Sequence, residues 1–148
     1  MAPARSRSGS TGRTRVARLT KRILPVDPDR DLAGAIRLAR AVVDAGYNLV
    51  WFPEGRRSPV GRLEAFQGGI GVLLEGSRAA AVPTAIRGAC EAWPRQRRWP
   101  RPAKVEVTFG TPRPVTELGP AQGPEAAERI RAELEREVAA LLGETAPR

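Results

Sequence analysis

In Glu54-Gly55-Arg56-Arg57 a carboxylate, a bare backbone position and two guanidinium groups follow one another without a gap, directly after Phe52 and Pro53. Arginine forks pair with phosphate, often through two bonds at once. A glycine lets the backbone come close to a ligand. A glutamate between them can orient an arginine or accept a hydrogen bond from a hydroxyl. The set therefore suits recognition of a phosphorylated, hydroxyl-bearing molecule. The same residues also make an ordinary solvated loop when Arg and Glu pair with each other, and their types alone leave both readings open. General-base chemistry near neutral pH is another matter. The chain has no His, the side chain that most often does that work.

A second constellation lies in Arg87–Lys104, "RGACEAWPRQRRWPRPAK", where Trp93 and Trp99 stand among six basic residues and one acid. Trp beside Arg suits a membrane interface, with the ring at headgroup level and the cation on lipid phosphate. Trp93, Arg97, Arg98 and Trp99 are the residues that would make such a contact. A surface loop whose rings cover the core explains the composition as well. A single-stranded nucleic acid stacked on the Trp rings is a weaker alternative, because no nucleic-acid-binding motif accompanies it.

The formal charge of +9 is unevenly placed. Residues 1–22 hold seven of the 25 basic residues and none of the 16 acidic ones, so the remainder carries 18 basic against 16 acidic. The opening segment reads as a disordered basic arm or a non-native start, and it also shares the composition of an organelle transit peptide. No run approaches the ~18 apolar residues of a membrane span. One cysteine, Cys90, excludes an internal disulfide, and with no His it excludes a structural zinc site of the usual kind.

These residues need elements to hold them. Arg22–Val26 is a strand candidate, and Asp29 is placed to cap a helix whose apolar positions Leu32, Ile36, Ala39 and Val43 share a face, with Gly46 as its stop. Asn48–Phe52 is a short apolar run of the kind found in a strand buried on both faces. A second helix is expected from about Glu64 to Glu75, weakened at its start by Gly68, Gly69 and Gly71. Ala79–Ile86 is a strand that Pro83 puts at an end or an edge. Lys104–Gly110 alternates as a half-exposed strand. Pro124 opens a last helix with the stripe Ala127, Ile130, Leu134, Val138 and Leu141, ended by Gly143. Its charged face, with pairs such as Glu125–Arg129, reads as solvated. Alternating strand and helix predict an α/β fold with a largely parallel sheet and flanking helices. Ligands in such sheets bind beyond the carboxyl ends of strands, which is where Glu54–Arg57 falls.

"FPEGRRS" (Phe52–Ser58) resembles the F-P-E-G-T-R-S block of the phospholipid/glycerol acyltransferase family, whose members acylate glycerol 3-phosphate or lysophosphatidic acid. "VPTAIRG" (Val82–Gly88) resembles that family's V-P-V-A-I-x-G block. "FQGG" (Phe66–Gly69) stands where F-K-x-G is frequent, and "ILPVDPDR" (Ile23–Arg30) where an upstream block ends in a basic residue. Four blocks agree in order and spacing over roughly Ile23 to Val115. Arg56 departs from the usual Thr, and Gln67 from the frequent Lys. "WFPEGRRS" with "EAWPRQRRWPRP" also resembles the variant of this domain joined to acyl-activating ligases.

The resemblance implies an incomplete acyltransferase domain over residues 23–143, followed by a tail at 144–148. It implies fatty acyl transfer from a thioester, acyl-CoA or acyl-carrier protein, to a lysophospholipid or glycerophosphate acceptor, at the cytoplasmic side of a membrane surface. Glu54, Gly55, Arg56 and Arg57 would bind the acceptor, joined by Arg30. No metal or resident cofactor is implied. The family's catalytic H-x-x-x-x-D block, in which His is the base and Asp orients it, has no counterpart here, so no catalytic residue is expected in this chain and it alone is expected to be inactive. A front segment missing through truncation or misreading is the favoured account of that gap; a non-catalytic remnant that binds anionic lipid is the alternative. The first account predicts an exposed sheet edge and apolar face.

Overall fold

The computed structural model describes residues 31–119 and 123–147. The chain divides into residues 1–35 and residues 36–148. Of the first unit only residues 31–35 are described. Arg30, the Arg22–Val26 strand candidate and the Asp29 cap lie outside the described residues.

Helix α1 spans Leu32–Asp44. Its first turn is capped by Asp31, whose Oδ1 accepts the Gly34 backbone N–H at 2.7 Å, satisfying one of the donors a helix start leaves open. The helix ends before Gly46, which takes φ +81°. On its exposed side Arg40 pairs with Asp44 at 3.0 Å, and the same guanidinium donates to the carbonyls of Leu73 and Glu75 at 3.3 and 2.8 Å. Those carbonyls close α2 (Gly69–Leu74), so an arginine of one helix satisfies the open end of the next.

The core of residues 36–148 forms where α2 meets the long C-terminal helix. Strands β1 (Ala80–Ala81) and β2 (Thr84–Arg87), short helix α3 (Ala89–Ala92), strands β3 (Glu106–Phe109) and β4 (Arg113–Pro114), helix α4 (Val115–Leu118) and helix α5 (Pro124–Leu142) complete the order. Phe66, Ile70, Leu73, Leu74, Val115, Leu118, Ile130, Leu134 and Val138 make one buried cluster. Gly71 allows the crossing of α2 and α5, since a Cβ there would lie 2.0 Å from the carbonyl oxygen of Ala127. Helix α5 follows the sequence reading: Pro124 at its first turn, Ala127, Ile130, Leu134 and Val138 buried, and Gly143 at φ +65° just past its end.

The four strands form one interrupted antiparallel ribbon. Ala80 faces Pro114 and Ala81 faces Arg113; then Thr84 faces Phe109 and Ile86 faces Val107. Between the two ladders stands Pro83, which has no N–H to donate. Its carbonyl still accepts from Gly110 at 2.8 Å, so the ribbon continues through the break.

Four expectations are corrected. Among the described residues every strand pairing is antiparallel, so the expected parallel sheet is not present there. Two of the candidate strands explain this: one lies outside the described residues, and Asn48–Phe52 is extended but has no ladder partner. Nor is that run buried on both faces. Leu49 and Trp51 pack against the core while Val50 and Phe52 are 80% and 67% exposed, because successive side chains of an extended chain point to opposite sides. The helix expected from Glu64 starts only at Gly69, because the Gln67 N–H is taken by the distant Pro53 O instead of a carbonyl one turn back. Finally, β3 turns its apolar set outward: Val107 and Phe109 are 47% and 70% exposed, and Ile86 beside them 42%. Ala85, opposite Thr108, is buried instead.

Candidate functional site

The Glu54–Arg57 stretch opens a loop that runs to Gln67. Its entry is a tight turn in which Gly55 N–H donates to Phe52 O at 3.1 Å with Gly55 at φ +71°, a conformation that favours glycine. Its exit is closed by Gln67 N–H on Pro53 O at 2.8 Å.

Three carboxylates hold the returning limb by its backbone. Glu144 accepts from Leu63 N–H at 3.1 Å, Glu54 from Glu64 N–H at 2.9 Å, and Glu135 from Phe66 N–H at 2.6 Å. These bonds fix the limb along a non-helical course, and Gln67 N–H goes to Pro53 O instead of to a carbonyl one turn back, so no helical turn closes before Gly69. Glu135 is 4% exposed and is paired with Arg131 at 2.8 Å. Glu54 is half-buried. Burial is the main cause that pushes its carboxyl above the usual carboxylate range; the Glu64 N–H works the other way, and the charges of Glu64 and Glu144 push upward again.

The two arginines of the loop part company. Arg56 pairs with Glu64 at 2.6 Å. Arg57 has no carboxylate partner among the described residues, and its Cζ lies 5.3 Å from the centre of the Trp93 ring. Beside them Ser58 Oγ is buried with no hydrogen-bond partner among the described residues.

Trp93 belongs to the basic loop that joins β2 to β3. That loop is tied to itself: Trp93 Nε1–H donates to Arg97 O at 2.9 Å, Arg101 N–H to Ala92 O at 2.8 Å, and Arg101 Nε–H to Glu91 O at 2.6 Å. Arg97, Arg98 and Trp99 are exposed on it, Trp99 by 73%.

The structure thus brings Glu54, Gly55, Arg56 and Arg57 together on one loop and sets Trp93 against it. Arg98 and Trp99 lie on the second loop with Arg97, whose carbonyl accepts the Trp93 N–H. The residues not singled out from sequence are Glu64, Glu135 and Glu144, the partners that fix the first loop. Glu135 is four residues from Arg131 in α5, a spacing that also suits a solvated pair. A surface hollow of about 340 Å³ lies elsewhere, lined by Pro83, Gly110, Arg113, Glu137 and Leu141 among others; none of the predicted site residues lines it. Among the described residues no helix is long and apolar enough to cross a membrane, and no group of His, Cys, Asp and Glu is placed to hold a metal ion.

No family model matches the chain. A Cocos nucifera protein named 1-acyl-sn-glycerol-3-phosphate acyltransferase is 34% identical over 92 residues, covering 62% of this chain and 30% of that protein. The fold is similar to the crystal structure of PlsC, the 1-acyl-sn-glycerophosphate (LPA) acyltransferase from Thermotoga maritima, with a TM-score of 0.59 and 24% identity over 76% of this chain and 46% of that one. The chain therefore spans less than half the length of either protein. Sequence and fold point the same way: the chain is similar to a part of the 1-acyl-sn-glycerol-3-phosphate acyltransferase in sequence, and to a part of the LPA acyltransferase PlsC in fold.

Proposed function

We propose that this chain supplies the acceptor-binding part of an acyl-transfer site. The reaction joins a fatty acyl group from a thioester, acyl-CoA or acyl-carrier protein, to the hydroxyl of a glycerophosphate-type acceptor such as lysophosphatidic acid. The hydroxyl oxygen attacks the thioester carbonyl, the C–S bond breaks, the hydroxyl proton passes to a base and the thiol leaves. The chain has no His to be that base, so its own share is to hold the acceptor's phosphate and glycerol backbone, and alone it does not turn over.

The observation that best supports this reading is the inequality of the two loop arginines. Glu64 neutralises Arg56, whereas Arg57 keeps an exposed cation with no carboxylate on it among the described residues. Glu54 and Gly55 shape the turn that presents it, and Arg30 is proposed as a second phosphate ligand. The exposed Arg97, Arg98 and Trp99 are proposed to meet an anionic membrane surface at the cytoplasmic face, where such an acceptor is dissolved.

Calorimetric titration of the chain with glycerol 3-phosphate tests the reading. Saturable binding that Arg57→Ala weakens about tenfold or more is expected, since charge-assisted bidentate pairs are the strong ones. Binding untouched by Arg57→Ala, or none at all, refutes it. In a relative that carries the His block, the matching substitution should raise the acceptor's KM or abolish turnover.

A lipid-binding role without catalysis is the second reading, favoured by the exposed Trp99 among arginines. Retention on acidic-lipid vesicles without glycerol 3-phosphate binding supports it. Retention on poly-dT with a steep salt dependence, and none on vesicles, points to nucleic acid instead.

A further inference from the structure

The basic loop does more than join β2 to β3: it is mated to the Glu54–Arg57 loop at two points. Cys90 of α3 packs against Gly61, where an added Cβ would come within 2.9 Å of the Cys90 Cβ and where φ is +75°. A few residues away, the Arg57 guanidinium lies over the Trp93 ring at 5.3 Å. The ring is itself fixed at its edge, through its N–H on the carbonyl of Arg97. The Arg101 backbone and side chain pin that turn to Ala92 and Glu91.

We propose that Trp93 is the positioning residue for Arg57. A long exposed arginine samples many rotamers and loses that freedom when it grips a phosphate. A guanidinium drawn to the face of an indole has lost part of it beforehand. The contact holds the cation through its charge and places no carboxylate on it, so its N–H groups are not committed to an anion and remain for phosphate oxygens. Arg56 cannot serve in the same way while Glu64 holds its edge at 2.6 Å. The two tryptophans of the basic loop accordingly differ in role. Trp93, at 46% exposure, has its ring against Arg57, whereas Trp99, at 73%, faces outward.

This inference rests on the acceptor-binding reading of the loop, and its test separates the two. The whole chain and its Arg57→Ala, Trp93→Leu and Trp93→Phe variants are titrated with glycerol 3-phosphate by calorimetry. NMR reads the Arg57 side-chain protons in the absence of ligand. Wild type should show an upfield ring-current shift of those protons that Trp93→Leu abolishes. Trp93→Leu should weaken binding about two- to fivefold, the range of an exposed cation–π contact, and Trp93→Phe should stay within about twofold of wild type because it keeps a ring face. Arg57→Ala should cost more than either. If Arg57→Ala weakens binding and Trp93→Leu does not, positioning is overturned and the acceptor reading stands. Equal losses in Trp93→Leu and Trp93→Phe also overturn it, since the ring face then does not matter. Absence of the ring-current shift in wild type removes the contact itself. If wild type shows the shift but binds no glycerol 3-phosphate, the acceptor reading has failed and the positioning role falls with it.

Discussion

Glu135 Oε2 accepts the backbone N–H of Phe66 at 2.6 Å across 69 residues of sequence. One buried carboxylate of α5 thereby anchors the exit of the Glu54–Gln67 loop, while its partner Arg131 balances its charge. Removing the carboxylate leaves a buried N–H without an acceptor, which costs about 1–3 kcal/mol. Glu135→Ala should therefore lower the stability by about that amount in a urea melt, and Glu135→Gln, which keeps an acceptor oxygen, should lose less. Equal losses in the two variants would show that the hydrogen bond is not what matters.

Gly71 and Gly68 lie three positions apart and should respond oppositely to alanine. At Gly71 the new methyl meets the Ala127 backbone at 2.0 Å, and backbone cannot move aside as a side-chain tip can. Gly71→Ala should destabilise by about 1–3 kcal/mol, as overpacking does. At Gly68 nothing lies within 4 Å and the backbone is already helical at φ −58°. Gly68→Ala should be neutral or stabilise by up to about 1 kcal/mol, through the unfolded chain's lost freedom. Thermal melts of both variants decide the matter, and a stable Gly71→Ala protein would mean that α2 and α5 do not cross at that point.

What sequence reveals here follows the range of the interactions. Helix α5 was legible because its apolar period, its opening Pro124 and its closing Gly143 are local signals, and Pro83 marked the break in the ribbon for the same reason. The Glu54–Arg57 group was legible because the residues are contiguous. The loop's anchors were not: Glu135 and Glu144 reach it across 69 and 81 residues, and no spacing rule spans such distances. The late start of the helix expected from Glu64 has a similar cause, since Gln67 N–H goes to Pro53 O, 14 residues back, instead of closing a helical turn. The outward turn of β3 was hidden for a different reason. Alternation tells which residues share a face but not which face finds a partner.

The raised carboxyl of Glu54 makes part of the stability depend on pH. The folded state binds this proton more tightly than the unfolded chain, chiefly because the group is half-buried. Its contribution is therefore fully present below the ordinary glutamate value of about 4.3 and is lost as pH rises through the folded value. Glu54→Gln keeps an oxygen for the Glu64 N–H and has no proton to lose. Wild type should fall behind Glu54→Gln as pH is raised from about 4 to 7, read as urea midpoints at each pH. A difference between the two that stays constant with pH would show that Glu54 titrates normally.

The exposed face of the ribbon should make the chain associate. Ile86, Val105, Val107 and Phe109 are each 42–70% exposed, and the register sets Ile86 beside Val107, so the apolar surface is contiguous instead of scattered. Contiguous apolar surface on a sheet face draws partners, a second copy among them. Sedimentation velocity over a concentration series should show association that Val107→Thr with Phe109→Thr reduces. These substitutions keep strand-forming residues and lie on the exposed side, so the melting temperature should change little. A wild-type chain that stays monomeric at high micromolar concentration, with no binding of a hydrophobic dye, would mean that this face is covered in solution.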